Sequence, residues 1–344
     1  MGRNLAFRTL AGVALVSLAV CLAGAQTASD AERARLWSQF YDAYDGKDWP
    51  AAMRLGEQLA GLSPQDAAVP FNLACVHALA GHREEALASL ERAAAAGFAS
   101  LEVLDAEPDL AAVRGDPRYA SAREAVARHR AAAIERAGRL ARDAPVVFHV
   151  PAMADDRSPL ERPLIVALHG YGSSPADMLP AFRALADVTG AVLALPQALE
   201  PRGTGFDWVS PDHAEVVVLR AIESARKRAP FDARQVVLAG FSQGATMAMR
   251  VALRHPERFR GVLAMAGRHA ERLVPGPNAQ EARRLRVALL VGGDDGNVES
   301  NREAEQRLRA ARFTVLLRVF PGVGHRFPPN ALAEMRDAVA FLLR

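Results

Sequence analysis

The alternation of apolar and polar positions divides the chain into two parts with different periods. Between residues 31 and 135, apolar residues recur at helical spacing among many alanine, leucine, glutamate and arginine residues. From Val146 onward, short apolar or β-branched runs alternate with helix-like stretches. The pattern therefore predicts an all-α region followed by an α/β region, with the change near Pro145.

The apolar runs of the second part are short enough to be strands. They cover residues 146–150, 164–168, 191–195, 236–239, 261–264, 287–291 and 314–320. Helix-like segments lie near residues 176–189, 212–229, 244–255, 299–311 and 330–343. Continuous apolar strands separated by helices are typical of a mostly parallel sheet with helices on both faces. Ligands bind such sheets at the carboxyl ends of the strands, so the residues that follow the strands are the candidates for chemistry.

The helical part contains a period of 35 residues, in which a glycine is followed by two apolar residues at fixed offsets. The matching positions are Gly46, Ala51 and Leu55, then Gly81, Ala86 and Leu90. This pattern resembles a tetratricopeptide repeat, and a degenerate third unit is suggested over residues 101–130. The resemblance implies a concave surface for a protein or peptide partner. A helical cap packed on the second domain is the alternative.

The first residues have the pattern of a secretory signal peptide. Arg3 and Arg8 precede an uncharged apolar stretch, and Ala23-Gly24-Ala25 offers a cleavage site before Gln26. We therefore expect a signal peptide over 1–25, a repeat domain over 26–140 and an α/β domain over 141–344. The mature protein would be periplasmic or secreted, with no integral membrane span after cleavage. An uncleaved anchor, or a lipid on Cys21, is the alternative.

Composition excludes several classes of protein. Half of the residues are hydrophobic and 24% are charged, which excludes an intrinsically disordered chain. The net charge is only +3, so we expect no nucleic-acid partner. Of the two cysteines, Cys21 lies in the apolar N-terminal run, which leaves Cys75 without a disulfide partner in the mature chain.

The strongest chemical signal is the segment Gly240-Phe241-Ser242-Gln243-Gly244, which joins a predicted strand to a predicted helix. A serine between glycines at such a junction sits on a sharp turn that lifts its hydroxyl above the sheet. The helix N-terminus then directs backbone N–H groups toward the reaction centre. Ser242 is therefore the expected nucleophile.

A base and an acid follow two later strands. His325 comes after strand 314–320, and two neighbouring acids, Asp294 and Asp295, come after strand 287–291. The histidine would take the serine proton, and one of the two acids would orient the imidazole. The glycine-rich loop that begins at His169 follows strand 164–168, and we expect oxyanion N–H donors at Tyr171 and Gln243.

These motifs together resemble the phospholipase/carboxylesterase branch of the α/β hydrolases, over about residues 146–344. The resemblance implies an α/β-hydrolase fold and hydrolysis of esters or thioesters through an acyl-enzyme, with no metal and no cofactor. Its G-x-x-D-x-x-V loop favours Asp295 over Asp294 as the acid. Departures at Ser173-Ser174 and at 205–208 affect the expected substrate rather than the chemistry.

Residues near these departures are candidates for the substrate pocket. We expect the pocket to be lined by His169, Phe206, Trp208 and His269. The whole set predicts a serine carboxylesterase acting on small or accessible esters. Two alternatives remain: an inactive hydrolase-fold protein that recruits a partner through its repeats, and an active serine hydrolase of peptide or polyester bonds.

Overall fold

The computed structural model describes residues 32–33, 35–44, 46–152, 158–269 and 284–344, and the signal-peptide prediction for 1–25 lies outside these ranges. The chain divides into two compact units between Ala133 and Ile134. This division falls within a long helix, whereas the sequence predicts a boundary after residue 140. The end of that helix from Ile134 onward belongs to the second unit.

The N-terminal unit consists of helices and turns, with no strand among its described residues. Residues 35–44 are helical and are followed by α1 (Trp49–Leu62), α2 (Ala68–Leu79), α3 (Arg83–Ala95), α4 (Leu101–Ala106), a 3-10 turn (Pro108–Ala112) and α5 (Pro117–Asp143). Gly46 and Gly81, the glycines of the predicted period, both lie in turns between helices. These helices confirm the all-α expectation, while the repeat assignment and its partner stay predictions.

The second unit alternates strands and helices along the chain. Its strands are β1 (Val146–His149), β2 (Leu164–Leu168), β3 (Val192–Pro196), β4 (Glu200–Arg202), β5 (Gly205–Asp207), β6 (Val236–Phe241), β7 (Gly261–Met265), β8 (Arg286–Gly292) and β9 (Thr314–Phe320). Its further helices are α6 (Pro175–Thr189), α7 (Pro211–Arg226), α8 (Gln243–Arg254), α9 (Val298–Ala310) and α10 (Ala331–Leu343). Short 3-10 turns cover Pro159–Glu161 and Pro256–Arg258.

The main sheet has seven strands in the order β1-β3-β2-β6-β7-β8-β9. Strand β1 runs antiparallel to β3, and every other pair in this sheet is parallel. The carboxyl ends of β6, β8 and β9 therefore lie at one edge, and the segments carrying Ser242, Asp295 and His325 all start there. This topology confirms the mostly parallel sheet predicted from the alternation of strands and helices, and it agrees with the α/β-hydrolase fold that the family resemblance implies.

The core lies on both faces of the sheet because successive strand residues point to opposite sides. Along β2, Leu164, Val166 and Leu168 are buried against one cluster of side chains. Ile165 and Ala167 are buried against the other. All five β2 residues are at most 1% exposed, which explains why the strands have continuous apolar sequences.

The strand predictions for the main sheet are correct to within two residues at each end. The two-stranded hairpin of β4 and β5 is missing from the sequence prediction. Among the described residues, no helix has the length and apolar character needed to cross a membrane.

Candidate active site

Ser242 lies between the end of β6 and the first residue of α8, in a backbone conformation that residues other than glycine rarely adopt. Its backbone has φ 54° and ψ −121°, although it is not a glycine. Such a conformation costs about 1–3 kcal/mol and persists only where surrounding contacts enforce it. Here the Ser242 N–H donates to the Met265 carbonyl at 2.8 Å, which ties the turn to the neighbouring strand β7. The turn held in this way places the Ser242 hydroxyl at the edge of the sheet.

The glycines of this turn are required by close backbone contacts. A Cβ atom at Gly244 would lie 2.3 Å from the Leu168 carbonyl oxygen and 2.4 Å from that of His169. A Cβ atom at Gly240 would lie 2.4 Å from the Gly244 carbonyl carbon. These are backbone atoms that cannot move aside like a flexible side chain, so larger residues would push the turn away from β2.

His325 follows β9 and contacts both of the other predicted residues. Its Nε2 atom lies 2.9 Å from the Ser242 Oγ atom. Its Nδ1 atom lies 2.8 Å from Asp295 Oδ2. With the Nδ1–H donating to the carboxylate, Nε2 is the nitrogen left to accept the serine proton. The Phe241 ring packs 5.2 Å from the imidazole, centroid to centroid, and limits its rotation.

Asp295 is the acid that the structure brings to His325, and its neighbour Asp294 is not. The Asp295 side chain is only 1% exposed. Its second oxygen accepts a hydrogen bond from the Asn297 backbone N–H at 2.8 Å. Asp294 is exposed, and its backbone N–H donates to the Val323 carbonyl. The geometry thus agrees with the choice of Asp295 that the loop pattern favours.

Two asparagines, which the sequence reasoning missed, hold the Asp295 loop against the end of β7. The Asn297 side chain donates to the Ala266 carbonyl at 3.0 Å. The Asn301 side chain donates to the Gly267 carbonyl at 2.7 Å and to the Asn297 carbonyl at 2.8 Å. The adjoining β7 residue is the one that accepts the Ser242 N–H. The acid and the serine are therefore positioned on a common support, and single asparagines carry no sequence signal of this role.

The loop after β2 lies beside Ser242. A Cβ atom built on Gly170 would be 3.6 Å from the Ser242 Cβ atom. Within the described residues, the backbone N–H groups of Tyr171 and Gln243 donate to no other backbone group. Those are the two N–H groups predicted to face the oxyanion. Ser173 and Ser174 donate side-chain hydrogen bonds to Asp177 at 2.9 and 2.8 Å, which fixes the loop to the first turn of α6.

Two of the predicted pocket residues lie beneath the loop rather than in an open pocket. His169 and Trp208 are each 1% exposed. The Trp208 indole N–H donates to the His169 carbonyl at 2.8 Å, and His169 Nε2 accepts from the Ala198 N–H at 3.1 Å. Burial lowers the pKa of His169, so the ring is neutral and its Nδ1–H donates to the Gly170 carbonyl. The prediction that they line a substrate pocket is wrong, because both support the loop from below.

The other two predicted pocket residues also have contacts within the protein. Phe206 is half-buried on β5 and pairs with Ser173 of the loop. His269 follows β7 and is 3% exposed, with its backbone N–H donating to the Ser300 hydroxyl. Neither of its ring nitrogens has a hydrogen-bond partner in the described part of the chain. His269 is therefore a buried core histidine, which corrects its assignment to the pocket wall.

The burial of His269 predicts a loss of stability in acid. Desolvation, with a smaller contribution from Arg250, lowers the pKa of His269 from 6.5 to about 4. The folded protein thus favours the neutral ring, and this stability is complete above pH 6.5 and is lost as the pH falls toward 4. At pH 5 the loss amounts to about 2 kcal/mol in the free energy of unfolding. Urea unfolding of wild type and His269→Gln between pH 8 and pH 4.5 measures it; parallel pH profiles would contradict the assignment.

One further cluster of side chains has metal-ligand chemistry in the described residues. Cys75, Glu107 and Asp109, all in the N-terminal unit, place their ligand atoms within 4.8 Å of one another. Burial, together with a hydrogen bond that the Tyr44 hydroxyl donates to the Asp109 carboxylate, raises the pKa of Tyr44. This cluster belongs to the helical unit and is not part of the serine site.

Comparisons with known proteins find similarity to one family within the second unit. The family model described as phospholipase/carboxylesterase matches residues 217–343, a range that contains Ser242, Asp295 and His325. The chain is 34% identical over 134 residues to "Putative esterase NocK" of Nocardia uniformis subsp. tsuyamanensis. That match covers 36% of this chain and 36% of the relative, so it spans little more than a third of either protein.

Solved structures of esterases are also similar to the chain. The Bacillus cereus carboxylesterase has 18% identity and a TM-score of 0.47, with 58% of this chain and 95% of that chain covered. The Mesorhizobium loti carboxylesterase has 19% identity and a TM-score of 0.45, with the same shares of 58% and 95%. The esterase PE8 has 23% identity and a TM-score of 0.45, with 58% and 96% covered.

Proposed function

We propose that this chain, which carries a phospholipase/carboxylesterase domain of the α/β-hydrolase type, cleaves carboxylic esters or thioesters through an acyl-enzyme on Ser242. The observation that carries the proposal is one continuous line of hydrogen bonds. It runs from Ser242 Oγ to His325 Nε2 at 2.9 Å and from His325 Nδ1 to Asp295 Oδ2 at 2.8 Å. A serine with a histidine base and a buried orienting carboxylate is an activated nucleophile.

The acylation step uses each of these groups once. Ser242 Oγ attacks the ester carbonyl carbon while His325 Nε2 takes the hydroxyl proton. The carbonyl oxygen becomes an oxyanion next to two N–H groups. One belongs to Tyr171 in the loop after β2, and the other belongs to Gln243, the first residue of α8. His325 then gives its proton to the leaving alcohol or thiol, and the carbon–oxygen or carbon–sulfur bond breaks. Asp295 stabilises the imidazolium that exists between the two proton transfers.

The deacylation step repeats the same transfers with water as the nucleophile. His325 removes a proton from water, and the resulting hydroxide attacks the acyl carbon of the Ser242 ester. The second tetrahedral intermediate faces the same N–H groups. His325 returns the proton to Ser242 Oγ, and the carboxylic acid leaves. Every proton in this cycle is carried by a group of the protein, the substrate or water.

The exposure of the site favours small or accessible esters. The His325 side chain is 44% exposed, and Tyr171, in the loop after β2, is 57% exposed. An open site contacts little of a long acyl chain, so added methylenes bring little binding energy beyond the first few carbons. We therefore expect the substrate preference to be set near the carbonyl rather than along the chain.

A p-nitrophenyl ester series tests this proposal. We expect kcat/KM for the acetyl and butyryl esters to exceed that for the dodecanoyl ester by about tenfold or more, because the exposed site formed by the described residues contacts little of a long acyl chain. Butyryl thioester should be cleaved at a comparable rate. Steadily rising kcat/KM up to dodecanoyl, or turnover of peptides and polyesters but not of small esters, would contradict the proposed substrate class.

A further inference from the structure

The hairpin of β4 and β5, which the mechanism above does not use, is bonded to the loop that carries Tyr171. The Gly172 N–H donates to the Phe206 carbonyl at 3.0 Å, and the Phe206 N–H donates to the Ser173 carbonyl at 2.9 Å. A Cβ atom on Gly205 would lie 2.2 Å from the Gly172 carbonyl oxygen, so only a glycine permits this approach. The loop after β2 is thus held by backbone pairing to β5.

The same hairpin strand also holds the residue after Ser242. The Gln243 side-chain amide donates to Asp207 Oδ1, and its carbonyl oxygen accepts from the Trp208 N–H at 3.2 Å. Both ends of the amide are therefore bonded to consecutive residues of one segment. Asp207 is 6% exposed, and its other carboxylate oxygen accepts from Arg202 at 3.3 Å. The Arg202 guanidinium in turn lies 5.4 Å from the centre of the Tyr171 ring.

We propose that Asp207 is a positioning residue for oxyanion stabilisation, through which the β4–β5 hairpin sets the spacing of the Tyr171 and Gln243 N–H groups. This inference rests on the proposed function. The two N–H groups come from segments that follow different strands, β2 and β6. Residues 205–208 contact both loops, by backbone pairing on one side and by the Gln243 amide on the other.

Such positioning matters because oxyanion stabilisation tolerates little displacement of the donor N–H groups. Donors must lie about 2.7–3.1 Å from the position that the oxyanion will occupy. A displacement of about 1 Å at a catalytic centre can cost a factor of about 10² in rate. Removing the Asp207 carboxylate leaves the Trp208 N–H as the hairpin's one remaining bond to the Gln243 amide, and it leaves Arg202 without this partner. The Gln243 N–H remains present, but the hairpin segment then holds Gln243 through one hydrogen bond instead of two.

The test compares Asp207→Ala, Asp207→Asn, Gln243→Ala and the Asp207→Ala/Gln243→Ala double variant. Activity is expressed per active site, titrated with a fluorophosphonate. We expect Asp207→Ala and Gln243→Ala each to lower kcat for p-nitrophenyl acetate by about 10- to 100-fold with little change in KM. Asp207→Asn keeps an oxygen for the Gln243 amide and should stay within about fivefold of wild type. Because Asp207 acts through Gln243, the two losses should not multiply. The kcat of the double variant should lie within about threefold of the kcat of either single variant.

A transition-state readout separates positioning from a general structural role. Affinity for an aryl trifluoromethyl ketone, which forms a tetrahedral adduct with the serine, should fall by the same factor as kcat/KM. The matched control is Asp232→Ala: Asp232 bonds Arg234 and Gln235 just before β6, at the end of that strand away from Ser242. We expect it to lower Tm without lowering kcat per titrated site.

Three results would overturn the inference while the wild type remains active. They are a kcat of Asp207→Ala within twofold of wild type, losses that multiply in the double variant, and an unchanged trifluoromethyl ketone affinity. If Asp207→Ala does not fold, Gln243→Ala decides the matter alone, since it removes the other partner of the same bond. A wild type that neither hydrolyses esters nor reacts with the fluorophosphonate would contradict the proposed function itself.

Discussion

Replacing Ser242 with alanine is expected to lower kcat for p-nitrophenyl acetate by about 10⁴- to 10⁶-fold, to near the rate of spontaneous hydrolysis. The substitution removes the only atom proposed to form the acyl-enzyme. His325 and the Tyr171 and Gln243 N–H groups would remain, so a small residual rate above that in water is expected. Stopped-flow absorbance at pH 8 would show the loss of both the burst of p-nitrophenol and the steady-state rate.

The matched control for this prediction is Ser224→Ala. Ser224 is half-buried on α7 and contributes no side chain to the site. We expect its kcat to remain within about twofold of wild type, as for substitutions distant from the chemistry. Equal turnover by wild type and Ser242→Ala, with spontaneous hydrolysis subtracted, would end the serine mechanism.

Replacing Asp295 with asparagine is expected to lower kcat by about 10³- to 10⁴-fold. An asparagine keeps the shape of the side chain but presents an amide that can donate to His325 Nδ1. The imidazole then carries its proton on Nε2, where it cannot accept the Ser242 proton. The buried carboxylate charge that stabilises the imidazolium is lost in the same substitution. Steady-state kinetics with p-nitrophenyl acetate measure the change.

Asp294→Asn is the matched control, since it makes the same chemical change one residue earlier. Asp294 is exposed, and its backbone N–H donates to the Val323 carbonyl. We expect kcat within about threefold of wild type, because an exposed charge near the site is screened by solvent. The reverse pattern, with Asp294→Asn inactive and Asp295→Asn active, would show that the orienting acid is wrongly assigned.

The sequence predicts the main sheet well because its strands are buried on both faces. Each of these strands is an uninterrupted apolar run, and the helices between them have apolar residues at helical spacing. The residues after β6, β8 and β9 then had to meet at one edge, since parallel strands share their carboxyl ends. For the same reason Ser242 and His325, which are far apart in the chain, could be paired before the structure was known.

The hairpin could not be predicted, because its strands are three residues long and its sequence contains Pro201, Gly203 and Gly205. Such a segment reads as a turn, with no periodic signal. Its pairing with the loop after β2 depends on contacts distant in sequence. The roles of Asp207 and Gln243 as bonded partners are therefore visible only in three dimensions.

The errors at the pocket have a related cause. His169 directly follows β2 and Trp208 directly follows β5. A polar or aromatic residue that follows a strand suggests a pocket wall. Whether such a residue faces a substrate or supports a loop from below depends on the packing of the next layer. The hydrogen bond from the Trp208 indole to the His169 carbonyl shows that both residues support the loop. This bond joins two segments that α6 and β3 separate in the sequence.

Mass spectrometry of the protein after reaction with a fluorophosphonate tests the central claim most directly. Trypsin cleaves after Arg234 and Arg250, which places Ser242 in a peptide of residues 235–250. The account predicts one phosphonyl group per wild-type chain, on Ser242 of this peptide, and none in Ser242→Ala. A phosphonyl group on another residue, or equal labelling of both proteins, would contradict it.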